Sequence, residues 1–284
     1  MFPAPIPRHA PARRLGYRVA VIGSLLVWML PLAAVVLVSM RSTEDLNRGI
    51  VWGWPRDIHL IANYATVLGG SNLARFVVNS FAVTLPAVAA TLLFSAMAGF
   101  ALAKHEFPGN RLLLMVFVAG NLVPAQVLMI PVRDLMIALH LYDTRFALIL
   151  FHVAFQTGFC TLFMRNFIRD LPDDVLDAAR IEGAGELSVF RYVILPLTRP
   201  AMAALAVLTF TFIWNDFFWA LVLVQSDSIR PLTAGLQSLR GMWQTSWNFV
   251  AAAAILAALP PVVMFLVLQR ELIAGLAPRV GGDG

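Results

Sequence analysis

Five stretches of this chain run for about 19–28 residues without a charged side chain, and a sixth contains a single acid. They are Val19–Met40, Phe76–Ala103, Leu112–Val132, Phe146–Met164 and Trp247–Gln269, with Pro200–Ser226 broken only by Asp216. A helix of about 20 apolar residues, rising about 1.5 Å per residue, covers a hydrocarbon core of about 30 Å. Buried helices of a large soluble protein could account for one or two such runs; six in 284 residues predict an all-α integral membrane fold with six transmembrane helices. Hydrophobic residues make up 60% of the chain and charged ones 13%, against about 45–50% and about 25% in soluble domains. Intrinsic disorder, which needs low hydrophobicity, is excluded by the same figures. Prolines 31, 86, 124, 131, 260 and 261 lie inside these runs; they would break soluble helices but are tolerated in membrane bundles. The first run exceeds a signal-peptide core of about 7–15 residues and lacks a small-x-small cleavage site, so it reads as a retained span.

The charges fall mainly in the breaks between runs. Six spans put both ends of the chain on one side, where Lys and Arg number 13 against 8 on the other. The positive-inside rule then predicts cytoplasmic termini. The organisation expected is a cytoplasmic N-terminus (1–18), a transmembrane domain (19–272) and a cytoplasmic tail (273–284). A net charge of +5 spread in this way is topogenic and does not point to nucleic acid. Cys160 is the only cysteine, which removes intrachain disulfides and cysteine-based zinc sites. Lys104 is the only lysine and no glycine precedes it, so the chain has no Gly-x-x-x-x-Gly-Lys phosphate loop. Any ATP it uses must be bound through such a loop on another chain.

The segment 165–199 between spans four and five carries 11 of the 37 charges and reads like a soluble module. Pro172 suits a first helical turn, Asp173 and Asp174 favour the positive end of the dipole, and Arg180 suits the last turn. Val175, Leu176, Ala178, Ala179 and Ile181 form a small apolar face, and Gly183 offers a left-handed cap. A second short helix is expected from Glu186, with Leu187, Phe190, Val193 and Ile194 on one side and Pro196 stopping it. Such a helix–Gly–helix unit fits docking into a partner, with alanines allowing close approach and charges fixing register. An amphipathic hairpin lying on the membrane surface fits the spacing as well.

The run Asp177-Ala178-Ala179-Arg180-Ile181-Glu182-Gly183-Ala184, followed by Phe190 and Val193-Ile194-Leu195-Pro196, resembles the EAA loop of ABC importer membrane subunits. It departs from that pattern in Asp177 for glutamate, Val193 for isoleucine and Glu182 for aspartate. Asn63-Tyr64, Asn79-Ser80, Trp214-Asn215 and Thr233-Ala234-Gly235-Leu236 resemble the carbohydrate-type permeases, the maltose and glycerol-3-phosphate subunits among them. Ala274-Gly275-Leu276 still fits, whereas Ala277-Pro278-Arg279 departs from the usual tail.

The resemblance implies a type I ABC importer fold in the bacterial cytoplasmic (inner) membrane. It implies a second permease subunit, two cytoplasmic ATPase subunits that bind ATP and magnesium, and an extracytoplasmic solute-binding protein. The chain itself would be no enzyme, bind no cofactor or metal, and meet lipid but no nucleic acid. Asp177, Ala178, Ala179, Glu182, Gly183, Phe190, Val193 and Pro196 would couple it to the ATPase, and the solute would be a sugar or related polyol. Permeases for glycerol phosphate, amino acids or peptides share the EAA loop. An integral membrane enzyme or a secondary transporter is a further alternative, but the one dense charge cluster coincides with the docking loop. Asn121, Gln126, Gln156, Asn215 and Asp216 are candidates for the translocation path, because polar groups in lipid are costly; interhelical hydrogen bonding accounts for them equally well. Trp214, Phe217, Phe218 and Trp219 read as an interfacial belt or as stacking surfaces for a sugar. His105, Glu106 and His152 have no ligand-spaced partner in sequence and carry no expected chemistry.

Overall fold

The computed structural model describes residues 11–69, 72–239 and 246–276. The departing tail at 277–284 and the first ten residues, both expected to be cytoplasmic, lie outside the described residues. All regular structure in them is helical. In chain order the helices are α1 (Pro11–Ser39), α2 (Thr43–Asn47), α3 (Leu60–Gly69), α4 (Leu73–Lys104), α5 (Asn110–Gly120), α6 (Met129–Ala138) and α7 (Arg145–Arg169). Then come α8 (Asp173–Ile181), α9 (Glu186–Val189), α10 (Leu195–Leu197), α11 (Arg199–Trp214), α12 (Phe218–Leu223), α13 (Leu232–Gly235) and α14 (Trp247–Leu276). Four of them, α1, α4, α7 and α14, are long and apolar enough to cross a membrane as single helices.

The run expected to span at 112–132 is not one helix. α5 ends at Gly120, and a 3₁₀ turn over Ala125–Leu128 leads into α6, bent by 92°. Pro124 has no amide to continue the ladder, and the Asn121 amide closes α5 by donating to the Phe117 carbonyl at 2.7 Å. The run expected at 200–226 also divides, because α11 stops at Trp214 and α12 restarts at Phe218. Pro196, expected to stop the loop's second helix, does not. The chain passes through a π-turn over Phe190–Ile194, where the Leu195 amide reaches back to the Phe190 carbonyl, and Pro196 enters α10 at a position that needs no amide. The bend comes two residues later, at Thr198, and is 73°.

Other prolines leave their helices continuous, and α14 shows why. Pro261 leaves the Ala257 carbonyl without its helical donor, and the indole N–H of Trp214 fills the vacancy at 2.9 Å. Trp214 is buried against Phe81 and Phe210, and Trp219 is buried with its ring stacked on Phe151 at 3.7 Å. Both are core residues, so neither the belt nor the sugar-stacking expectation describes them.

The contacts divide the chain into two compact units. The smaller contains α1–α3 and the first turns of α14. Within it Asn63 is buried and donates to the Ser39 and Arg41 carbonyls at 2.9 and 2.8 Å, closing the end of α1, while its own carbonyl accepts from Asn248 at 3.1 Å. Tyr64 shares a 3.3 Å hydrogen bond with Ser39. The Asn-Tyr pair is therefore a fastening between helices.

The larger unit is built on α4 packed along α7. At the N-terminal ends of this pair, Asn79 donates to the carbonyls of Ser228 and Arg230, both at 3.0 Å, and accepts from Arg145 at 2.8 Å. Ser80 accepts from the Leu232 amide at 2.8 Å, and Gly235 packs against the Phe76 ring, leaving no room for a Cβ. Asp143, at a left-handed φ of 58°, accepts from the amides of Gln225 and Ser226 at 2.8 and 2.9 Å. These bonds tie the segment after α12 to the starts of α4 and α7. By contrast, α1 and the later part of α14 present large exposed apolar side chains, as lipid-facing helices do.

Candidate functional site

At the other end of α4 and α7 the polar segment projects as α8 and α9. Pro172 stands at the N-cap of α8, with Asp173 and Asp174 in its first turn and Arg180 in its last. Gly183 adopts φ +81°, its amide bonds the Arg180 carbonyl at 2.9 Å, and the Ala184 amide bonds Ala179 at 3.1 Å. This pair of bonds is the Schellman arrangement, which needs a left-handed residue after the cap. Nothing lies within 4 Å of the place a Gly183 side chain would occupy.

The unit is anchored by few groups. Leu176 is buried on α8; Val189, Phe190 and Ile194 are buried beyond the turn. Phe190 packs on Phe100 of α4 with ring centroids 5.9 Å apart, so it holds the loop from within. Leu187 does not share that side, contrary to the spacing: it is 75% exposed, and Ile181 is 85% exposed. Asp177, Ala178, Glu182, Gly183 and Pro196 are exposed, while Ala179 and Val193 are half-buried.

Lys104 and His105, at the end of α4, form the polar part of the anchor. The Lys104 ammonium donates to the Leu171 carbonyl at 2.8 Å, to the Arg169 carbonyl at 3.4 Å and to Asp173 Oδ1 at 2.7 Å. It thus joins the end of α7 to the beginning of α8. His105 Nε2 lies 3.1 Å from Glu186, which also accepts from Arg180 Nε at 3.1 Å. The Arg180 hydrogen bond, outweighing desolvation, holds the Glu186 carboxyl below its ordinary range. Sequence spacing offered no sign of these partners, which stand 69 and 81 positions away.

The intramembrane candidates separate into two groups. Asn121 and Asn215 are spent on helix ends, Asn215 donating to the Thr211 carbonyl at 2.8 Å. Gln126 is exposed on the 3₁₀ turn and Gln156 is half-buried on α7. Asp216 occupies the gap between α11 and α12, where its carboxylate accepts from the amides of Trp219 and Ala220 at 3.3 and 3.1 Å. Its Oδ2 also lies 3.6 Å from Nε2 of the buried His152. The acid inside the sixth run is therefore the reason a helix can restart there. Asp216→Ala is expected to destabilise the subunit by about 1 kcal/mol, as a lost cap does. Asp216→Asn, which keeps one acceptor, should lose less; unfolding temperatures of the two variants in detergent check the order. A cavity of about 430 Å³ lined by Arg133, Tyr142 and Gln225 lies between α6 and α12, and sequence reasoning did not single it out. There Arg133 stands 5.6 Å over the Tyr142 ring.

Residues 91–277 match the family described as binding-protein-dependent transport system inner membrane component. The chain is 33% identical over 254 residues to the arabinooligosaccharides transport system permease protein AraQ of Halalkalibacterium halodurans, covering 89% of this chain and 90% of that one. It is 30% identical over 273 residues to the osmoprotective compounds uptake permease protein GgtD of Synechocystis, covering 93% and 91%. Its fold superposes with a TM-score of 0.82 on a chain of a bacterial ABC transporter that imports the acidic polysaccharide alginate, at 23% identity, covering 94% of this chain and 99% of that one.

Proposed function

The chain belongs to the binding-protein-dependent transport system inner membrane components, the multi-pass permease subunits of ABC importers, and on that premise we propose that it forms half of a translocation path for a sugar or related polyol, driven by a separate ATPase through α8 and the Gly183 turn. It is a transport subunit and not an enzyme. The observation that carries the coupling role is the projecting helix–turn unit, with exposed Ile181 and Leu187, fastened by Lys104 to the ends of α4 and α7. A surface unit that displays two large apolar side chains needs a partner to cover them. Attachment at the end of the α4–α7 pair lets a partner's movement reach the spans.

Asp177, Ala178, Ala179, Glu182 and Gly183 then face the ATPase, and Phe190, Val193 and Pro196 connect that surface to α11. The polypeptide has no phosphate loop, which supports ATP and magnesium residing on the partner. The 13-to-8 distribution of Lys and Arg supports cytoplasmic termini and a cytoplasmic α8. The relative named for arabinooligosaccharides supports a carbohydrate solute, and the family description supports its delivery by a binding protein. Proteoliposomes test the reading. This subunit alone should take up no sugar, and uptake should require the second permease subunit, the ATPase, ATP and the binding protein together. Concentrative uptake by the single chain would refute it.

A further inference from the structure

We propose that the cavity between the ends of α4 and α7, the start of α5 and the flank of α8 holds the phosphate headgroup of an anionic phospholipid. The cavity has a volume of about 830 Å³, and Lys104, Arg111, Arg165, Arg169 and Arg180 all line it. Asp173 and Asp177 on the same wall are taken by Lys104 and Arg180. Arg169 has only a 3.9 Å approach to Asp170, and Arg111 has no ion pair among the described residues. Arg165 donates one bond, to Asn166 at 3.3 Å, while its Nε is buried without an acceptor. Glu106 is the remaining acid in the lining. The balance is a surplus of positive charge around the space, with Arg111 and Arg169 not held by a close ion pair. A phosphate supplies what is missing: several acceptor oxygens and negative charge.

The surroundings favour a lipid over a free anion. The cavity lies where the apolar helices end, and Leu112 on its rim begins an exposed apolar strip on α5 that continues through Leu113, Met115 and Val116. Acyl chains would lie along this strip with the headgroup above it, as in basic pockets at a membrane surface. Because Asp173, Asp177 and Arg180 belong to both the cavity and α8, an occupied site would steady the loop. Binding itself needs only that these helices sit in a bilayer, so it stands apart from the coupling assignment.

Native mass spectrometry of the purified full-length chain tests the proposal, with dioleoyl phosphatidylglycerol and dioleoyl phosphatidylcholine as probes. The wild-type chain should retain phosphatidylglycerol about tenfold over phosphatidylcholine. Arg111→Gln, at an exposed helix start, should reduce that retention about fivefold and keep the fold, and adding Arg165→Gln should remove most of the remainder. Arg191→Gln, on an exposed side chain elsewhere in the segment, should leave it unchanged. Equal retention of the two lipids, or undiminished retention by the Arg111→Gln chain, would overturn the proposal. Displacement of phosphatidylglycerol by millimolar inorganic phosphate, a measurement that needs no variant, would also overturn it, because the site would then belong to a soluble anion.

Discussion

Gly183→Val is expected to cut solute uptake by the assembled importer to a few per cent, on the order of a thirtyfold loss, while the amount of inserted subunit stays unchanged. Space is not the obstacle, since nothing lies within 4 Å of the added Cβ. The backbone is: φ is +81°, and both cap bonds, from Gly183 to Arg180 and from Ala184 to Ala179, depend on it. A side chain in this region costs about 1–2 kcal/mol, with a β-branched one at the upper end. Because α8 is attached mainly through Leu176 and Lys104, the chain can relieve the strain by leaving the left-handed turn. A shift of about 2 kcal/mol would reduce the competent arrangement about thirtyfold. Insertion does not depend on this turn, so the subunit should reach the membrane in normal amount. Asn, which tolerates the left-handed region, should retain most uptake, Ala less, and Val only about a few per cent. Uptake into proteoliposomes, normalised to subunit by immunoblot, measures the series. Wild-type uptake by the valine variant would remove the turn from the mechanism.

The same locality explains what could be read before the fold was known. The charge-free runs locate the spans because a bilayer imposes one length and one composition on whatever crosses it. The cap of α8 is legible because Asp173, Asp174, Arg180 and Gly183 act within their own turn. Which proline breaks a span is not. Pro261 is harmless because Trp214, on another helix, donates to the carbonyl it orphans, while Pro124 follows Gly120 and Asn121 and ends α5. Burial of Trp214 and Trp219 is equally illegible, since an aromatic near the end of a span fits an interface as well as a core. Lys104 and His105 stand at the end of α4 and find their acids only through the packing of α4 against α7. His152, to which spacing assigned nothing, meets Asp216 in the same way. Asn63 and Asn79 were visible as family features, yet their work as fastenings depends on carbonyls distant in the chain.

Gly99→Leu is expected to prevent the subunit from folding. Helices α4 and α7 form the most extensive helix pairing among the described residues, and Gly99 lies at a close approach between them. A Cβ there would stand 2.8 Å from Met164 Cβ and 2.9 Å from the Arg165 amide nitrogen. One of these is main chain and the other is fixed to it, so no rotamer change gives way and the helices must part. Without a hydrophobic drive between helices in lipid, such small-residue contacts supply much of the association. Gly158 serves the other flank of α7, where a Cβ would meet the Phe117 carbonyl oxygen of α5 at 2.9 Å. Overpacking by a leucine costs about 3 kcal/mol or more at a site that cannot relax. The expected result is little monodisperse protein after detergent extraction, together with a collapsed unfolding temperature. Gly99→Ala makes the milder and more informative variant. Gly99 lies five residues before Lys104, and Met164 five before Arg169, so a wedge here separates the ends that Lys104 joins. Uptake should therefore fall further than stability does. An alanine variant that loses both in proportion would show that the α4–α7 contact holds the fold without transmitting anything to α8.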